Sequence, residues 1–297
     1  MLLNKHIPFK YILNKIKFEL LYVLIIGLLV FYVTQHFKTL IPDMPIAIPA
    51  FLGTAISVIL SFKLNQSYDR WWEARKIWGS IVNDSRSFIL QLQMFLKKEN
   101  DKQIKKIAFR QIAWCYSLGQ TLRGLNPVAN LEEYLSPEDL EKITRHNNKP
   151  LAILQLNTLD ISELKNKDQV DTFSQVQINN SLVNFSNAMG MAERIKSTIF
   201  PTTYRLFLHF IIYVFIITLS ISLRDIESYF EIPLLLIISS AFFLLEKSAK
   251  HLQDPFSNLP TDTAMTAIAR TIEINIKQLI NEKEIPNPQQ PANFYLL

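Results

Sequence analysis

The stretch IAIPAFLGTAISVILSFKLNQSYDRWWEARKIWGSIVNDSRSFILQLQ, residues 46–93, decides the architecture. Residues 46–62 are uncharged and mostly apolar, and the chain turns polar at Lys63 with no glycine or proline at the join. Thr54, Val58 and Phe62 fall four residues apart, so on a helix they stack along one face, and Asn65 and Asp69 carry that face into the polar half. From Trp71 the residues Trp71, Ala74, Trp78, Ile81, Ser85, Phe88 and Leu92 alternate by three and four, a helical stripe that is apolar except at Ser85. The spacing predicts one long helix that starts inside a membrane and continues into a soluble helical domain.

Composition narrows the class by its distribution rather than its total. The 49% hydrophobic content matches an average soluble protein. The apolar residues, however, gather near 20–62 and 206–245 and leave a polar stretch between. That asymmetry predicts membrane parts towards both ends and a cytosolic part between them. The net charge of +5 comes with no basic stripe interleaved with aromatics, so no nucleic-acid partner is expected. Cys115 is the only cysteine, which excludes an intrachain disulfide and a cysteine-based metal site. Six glycines leave no Gly-rich phosphate loop, and His6, His36, His146, His209 and His251 show no ligand spacing. No metal and no cofactor is expected.

Taken outward, the chain reads as all-α: an integral membrane protein with four transmembrane helices and a large cytosolic helical domain. Residues 1–19, with Lys5, Lys10, Lys15 and Lys17, read as a cytosolic N-terminal segment. Residues 20–62 form a transmembrane hairpin, its first helix LLYVLIIGLLVFYV uncleaved because no small-residue cleavage pattern follows. FKTLIPDMP, 37–45, is the loop, and Pro49 sits in the first turn of the second helix, where a missing N–H costs little. Lys63, Arg70, Arg75 and Lys76 then read as a basic flank that places this end inside.

Residues 63–200 read as the cytosolic domain. Ile104, Ile107, Ala108, Ile112, Cys115, Leu118 and Leu122 mark an amphipathic helix. Ser136-Pro137-Glu138-Asp139 opens a short helix that stops near His146–Pro150. A further helix, Val170 to Thr198, is rich in Gln, Asn and Ser, so either one face lines water or it is a solvated surface helix. Residues 201–246 form a second hairpin, LFLHFIIYVFIITLSISL and IPLLLIISSAFFLL, joined by RDIESYFE, 224–231. Residues 247–297 return to the cytoplasm with one amphipathic helix within 254–280 and a mobile tail from Asn281. The membrane helices read as free of charge, which argues against a secondary transporter.

The run RWWEARKIWGSIVNDSR, Arg70–Arg86, resembles the bestrophins, specifically their bacterial branch. HLQDPFSNLPTDTAMTAIARTIEINI, His251–Ile276, is similar to that family's Asp-Pro-Phe segment, here Asp254, Pro255 and Phe256 followed by Asp262. IFPTTYRLFLHF, Ile199–Phe210, is similar to its proline entry to the third membrane helix. The resemblance implies an ion channel in the bacterial inner membrane, multi-pass with both termini cytoplasmic. It implies a homo-oligomer, a pentamer, in which the second membrane helix lines a hydrophobic neck. The positions matching that neck are Thr54, Val58 and Phe62, with Asn65 and Asp69 in the vestibule below. Thr54 departs from the pattern, being small and polar where a bulky apolar side chain is expected. The structural and gating motif would be Arg70, Trp71, Trp72, Glu73, Arg75 and Trp78 with Asp254, Pro255 and Phe256. Animal members bind calcium through an acidic cluster after Asp-Pro-Phe; here only Asp262 follows, so calcium gating is not implied.

The residues alone leave alternatives open. Thr54, Val58 and Phe62 either form an apolar ring that gates by dewetting or pack against lipid and other helices. Trp71 and Trp72 either take part in gating or anchor at the interface, with Glu73 paired to a neighbouring arginine. The function expected is a channel for small monovalent ions, chloride-type or sodium-type, partnered only by those ions, the lipid bilayer and copies of itself. The alternative is a membrane-anchored helical scaffold or sensor without a pore. No nucleophile–base spacing supports an enzyme.

Overall fold

In the computed structural model, which describes residues 1–2, 7–37, 41, 43–96, 98–224 and 228–297, residues 47–93 lie in one unbroken helix. This helix, α2, runs Ala47–Phe95 over 49 residues, about 73 Å at 1.5 Å per residue. The apolar core of a bilayer is about 30 Å thick, so the length alone takes α2 well beyond it.

The chain divides into two compact units. One comprises Lys5–Arg70 and Ile199–Asp254. It holds α1 (Phe9–His36), the first half of α2, α7 (Thr202–Ser222) and α8 (Ser228–Gln253). Among the described residues these four helices are long and apolar enough to cross a membrane. Their shared core is Ile16 and Val23 of α1, Ile56 and Leu60 of α2, Leu208, Ile212 and Phe215 of α7, and Leu235 and Phe243 of α8. Gly27 lets α1 approach α8 closely, since a Cβ there would stand 3.0 Å from Leu235 Cδ2. Gly53 does the same for α2, with the Phe215 ring 3.2 Å from its missing Cβ.

The other unit comprises Trp71–Thr198 and Pro255–Leu297 with the first residues of the chain. It holds the second half of α2, a 3₁₀ turn at Lys98–Asn100, α3 (Asp101–Arg123), α4 (Pro137–Thr144), α5 (Lys149–Asn166), α6 (Thr172–Ser197) and α9 (Met265–Leu279). The apolar stripes meet in one core: Ala74, Trp78, Ile81, Phe88 and Leu92 of α2 are fully buried, as are Ile107, Ile112, Cys115 and Leu118 of α3. Ser136 caps α4 as expected, its hydroxyl accepting from Asp139 N at 3.2 Å.

Several boundaries differ from the sequence reading, each for a local reason. α1 starts at Phe9, so Lys10, Lys15 and Lys17 lie within the helix rather than ahead of it. α5 occupies residues expected to follow a stop: Asn148 is an N-cap accepting from Leu151 N at 3.1 Å, and Pro150 sits in the first turn, where proline is tolerated. α9 begins only at Met265, because Asp254–Thr263 forms a turn closed by Thr263 N donating to Pro255 O at 3.2 Å. α6 is neither solvated all round nor polar throughout; Ile178, Leu182, Phe185, Met189 and Ala192 bury one face. The tail expected to be mobile is tied at its end, with Leu296 N donating to Met1 O and Ala267 N to Leu297 O, both at 2.9 Å. The unit boundaries fall at 70/71, 198/199 and 254/255, against the expected 62/63, 200/201 and 246/247, so two of them lie eight residues further along the chain and one two residues earlier. Lys5 and the loop centres at 38–40 and 225–227 lie outside the described residues.

Candidate functional site

Within the four-helix unit, α2 has two unlike faces. Thr54, Val58, Phe62, Asn65 and Asp69 all lie on one side and are exposed, Val58 at 50% and Phe62 at 65%. Ile56, Leu60, Lys63 and Ser67 occupy the opposite side and are buried. The exposed side differs from the exposed side of α1, which offers lipid-compatible Leu21, Ile25, Leu28 and Leu29. On α2 the apolar Val58 and Phe62 alternate with Thr54, Ser57 and Ser61. The hydroxyls of Thr54 and Ser57 donate to the carbonyls of Ala50 and Gly53 four residues back, at 2.9 and 2.8 Å. Each is thereby satisfied without an outside partner. Such a face suits contact with another protein surface or with water rather than with acyl chains alone.

The helices of this unit do carry charge, just beyond the apolar runs 20–35, 46–62, 206–223 and 232–245, and Lys63, read as part of a basic flank, is buried. Lys63 Nζ lies 3.0 Å from Glu246 Oε1, and both side chains are only 1% exposed. Glu246 Oε2 faces His209 Nε2 of α7 at 3.5 Å. Glu19 pairs with Lys247, and Lys15 Nζ lies 3.2 Å from the His251 ring nitrogens. Glu231 is buried too, accepting from Ser220 Oγ at 3.0 Å. Each buried charge is expensive without a partner; local sequence could not supply these partners, because Lys63 and Glu246 are 183 residues apart.

The Arg-Trp-Trp motif spans the point where α2 passes from one unit to the other. In the larger unit, Trp71 Nε1 donates to Thr261 O at 3.1 Å, so the motif and the turn after Asp-Pro-Phe are brought together. Phe256 and Pro255 are buried in the same unit, whereas Asp254 is exposed. Asp262, fully buried, accepts from Leu259 N at 3.1 Å and so closes the turn. Burial pushes its carboxyl above the usual carboxylate range. Trp78 is a core residue beneath Gly119 of α3, and Trp72 is exposed. Glu73 pairs at 2.8 Å with Arg194 of α6, an arginine 121 residues away rather than one of its chain neighbourhood as expected; Arg75 passes close to Gly79 on its own helix.

Two polar clusters in this unit escaped the sequence reading. Arg110 of α3 donates bidentately to Asp139 of α4, Nε and Nη2 both at 2.8 Å, and through Nη1 to Asp160 of α5 at 2.7 Å. Glu273 of α9 accepts from Tyr116 and Tyr134 hydroxyls at 2.7 and 2.9 Å and pairs with Arg270 and Lys277. Burial and the Glu273 charge push both phenols well above their ordinary range. Each cluster fixes helices to one another, and a buried Arg or Glu on an otherwise apolar helical stripe is the only signal that could have revealed it.

Residues 8–278 match the family model of the bacterial and fungal bestrophin proteins. The chain belongs to the bestrophin family. It is 30% identical over 96% of its length, and 93% of the relative's, to the voltage-dependent anion channel-forming protein YneE of Escherichia coli O157:H7. A protein of Ralstonia nicotianae with the same description is 28% identical, covering 82% of this chain and 80% of the relative. The crystal structure of a bacterial bestrophin homologue from Klebsiella pneumoniae superposes with a TM-score of 0.84 at 27% identity, covering 91% of this chain and all of that one. The resemblance carried by Arg70–Arg86 and the Asp-Pro-Phe segment therefore holds over nearly the whole chain. This bestrophin is a multi-pass membrane protein.

Proposed function

We propose that this protein is a bestrophin-type ion channel. Copies of the chain assemble as a homopentamer around an axis faced by α2 and pass small monovalent ions. The observation that carries the reading is the exposed side of α2, where Val58 and Phe62 stand apolar among hydroxyls and lead into Asn65 and Asp69. Five copies would stack Val58 and Phe62 as two apolar rings, with Thr54 above them. Water in such a constriction lacks partners, and an ion loses hydration without gaining ligands, so the rings form the barrier. The unit holding residues 71–198 and 255–297 is taken as cytosolic, the protein as resident in the bacterial inner membrane, and both termini as cytoplasmic. Asp262 is engaged within its own turn, so calcium gating is not part of the reading. Catalysis is not part of it either; the relatives bear channel names.

The relatives' names favour anions as the permeant species, whereas Asp69 on the vestibule face favours cations. Reversal potentials of the purified protein in planar bilayers under a potassium chloride gradient test the proposal. A pentameric preparation should carry current, and the sign of the reversal potential assigns the permeant charge. A stable pentamer without current at any voltage would instead favour the scaffold reading.

A further inference from the structure

Among the contacts that hold the buried side of α2, three differ in kind. Near its start, Gly53 lies against the Phe215 ring of α7, a contact of shape alone. One and a half turns on, the Tyr204 hydroxyl of α7 donates to Ile59 O at 3.2 Å. Lys63, the residue after Phe62, reaches Glu246 of α8 at 3.0 Å. The last is the only charged one, and both partners are 1% exposed. Two apolar side chains of similar volume would fill that space at no electrostatic cost, and buried ion pairs give little net stability for their desolvation. What an ion pair supplies that packing does not is direction. The ammonium must meet one carboxylate oxygen, while the other oxygen of Glu246 faces His209 at 3.5 Å. Helices α2, α7 and α8 thus converge on a single carboxylate.

On a helical wheel of 3.6 residues per turn, Lys63 projects about 100° from Phe62 and roughly opposite Thr54. A rotation that pulls Lys63 away from Glu246 therefore swings Phe62 off its bearing. With an overall helix diameter of about 10–12 Å, a turn of about 20° moves a side-chain tip by about 2 Å. That is a large change for a ring whose radius decides whether water enters.

We propose that Lys63 and Glu246 are positioning residues of the channel: their buried pair sets the rotation of α2 about its own axis and so aims Phe62 at the pore. The inference rests on reading the exposed side of α2 as the pore wall. It assigns a role to two charged residues that neither touch the permeating ion nor belong to the Arg-Trp-Trp motif. It also explains why a lysine stands next to the apolar Phe62 with its side chain turned inward.

The test uses the full-length protein with Cys115→Ala, carrying either Phe62→Cys or Ser61→Cys, in bilayers exposed to a membrane-impermeant methanethiosulfonate. With the pair intact, Phe62→Cys should react the faster, and its modification should block current. Adding Glu246→Gln should lower the Phe62→Cys to Ser61→Cys rate ratio about tenfold, the scale of coupling energies carried by packed elements. Lys63→Glu with Glu246→Lys should restore the ratio. Glu246→Asp retains the charge and shortens the arm by one methylene, so it guards against misfolding of the neutral variant and should give an intermediate ratio. Size-exclusion chromatography of each preparation confirms the oligomer. An unchanged ratio in Glu246→Asp or Glu246→Gln pentamers overturns the proposal, as does a charge-swapped pentamer that fails to recover. If neither cysteine affects current before the pair is touched, the assignment of α2 as pore wall falls and takes the positioning role with it.

Discussion

Cys115 shows how far one side chain's environment can fix its chemistry. It is fully buried on α3, with Ser85 Oγ and Gln111 Nε2 each 3.9 Å from its sulfur. Burial pushes the thiol from its ordinary value of 9.0 up to about 12. A folded-state value above the unfolded one means that the stabilisation is complete below about pH 9 and is lost as pH rises from there towards 12. The native protein at pH 8 should therefore leave Cys115 unlabelled by a maleimide until denaturant is added, and rapid labelling of native protein would contradict this. The apolar stripe that placed Cys115 inside was legible; the burial of Lys63 was not. A lysine after an apolar run has the local pattern of a membrane flank, and only the fold brings Glu246 to it. Val58 and Phe62 pose the reverse case, large apolar residues left exposed in the protomer. If they form the proposed rings, Phe62→Ala, and more so Val58→Ala with Phe62→Ala, should raise open time or conductance while the pentamer elutes unchanged. If they are packing residues, the loss of a buried Phe costs about 3–5 kcal/mol, and the pentamer should weaken without a gain in current.

Among the elements, those with a strong period were readable, and so was α4 with its Ser136 cap; α5, whose cap doubles as a stop signal, was not. α2, α3 and the membrane helices announce themselves through apolar stripes or runs. α5 was missed because His146-Asn147-Asn148-Lys149-Pro150 reads equally as the end of one helix and the start of the next. Asn148 settles the matter by capping forward. The Arg110 cluster depends on that missed helix, since Asp160 and Leu156 O both come from α5. Arg110 is buried, and its removal would strand Asp139 without a counter-charge and leave Asp160 only the half-exposed Lys106 at 3.1 Å. Arg110→Met should therefore destabilise the protein by about 3–5 kcal/mol, the range for breaking a buried pair from one side. Arg110→Met with Asp139→Asn and Asp160→Asn should cost less than the single change, because no buried lone charge remains; Lys106 is half-exposed. Thermal unfolding in detergent, followed by circular dichroism, orders the three proteins. A single variant as stable as the parent would mean that water reaches the two carboxylates.

At the scale of the whole molecule, the open question is which way the four membrane helices run. Two arguments bear on it. Positive residues favour the cytoplasmic side, and Arg70, Arg75 and Lys76 follow the membrane half of α2, while Lys247 and Lys250 close α8. Both basic groups thus stand at the ends remote from the two hairpin loops. Burial weakens part of the charge count, since Lys63 and Lys247 are spent on Glu246 and Glu19 inside the four-helix unit; Arg75, Lys76 and Lys250 carry the remaining weight. The second argument is length. The apolar run 232–245 is short for a crossing by itself, but α8 spans Ser228–Gln253, and 24 of its residues form a candidate span. This exceeds the roughly 20 residues that a bilayer needs, so α8 is long enough for a complete crossing, which would return the chain to its starting side. In a Cys115→Ala background, Pro45→Cys and Ser228→Cys should react with an impermeant maleimide added outside intact cells, and Gln289→Cys should react only after permeabilisation. Outside labelling of Gln289→Cys together with protection of Pro45→Cys would invert the whole arrangement. Outside labelling of Gln289→Cys and Pro45→Cys together would mean that α8 fails to cross, leaving three spans and no closed four-helix unit around the proposed pore helix.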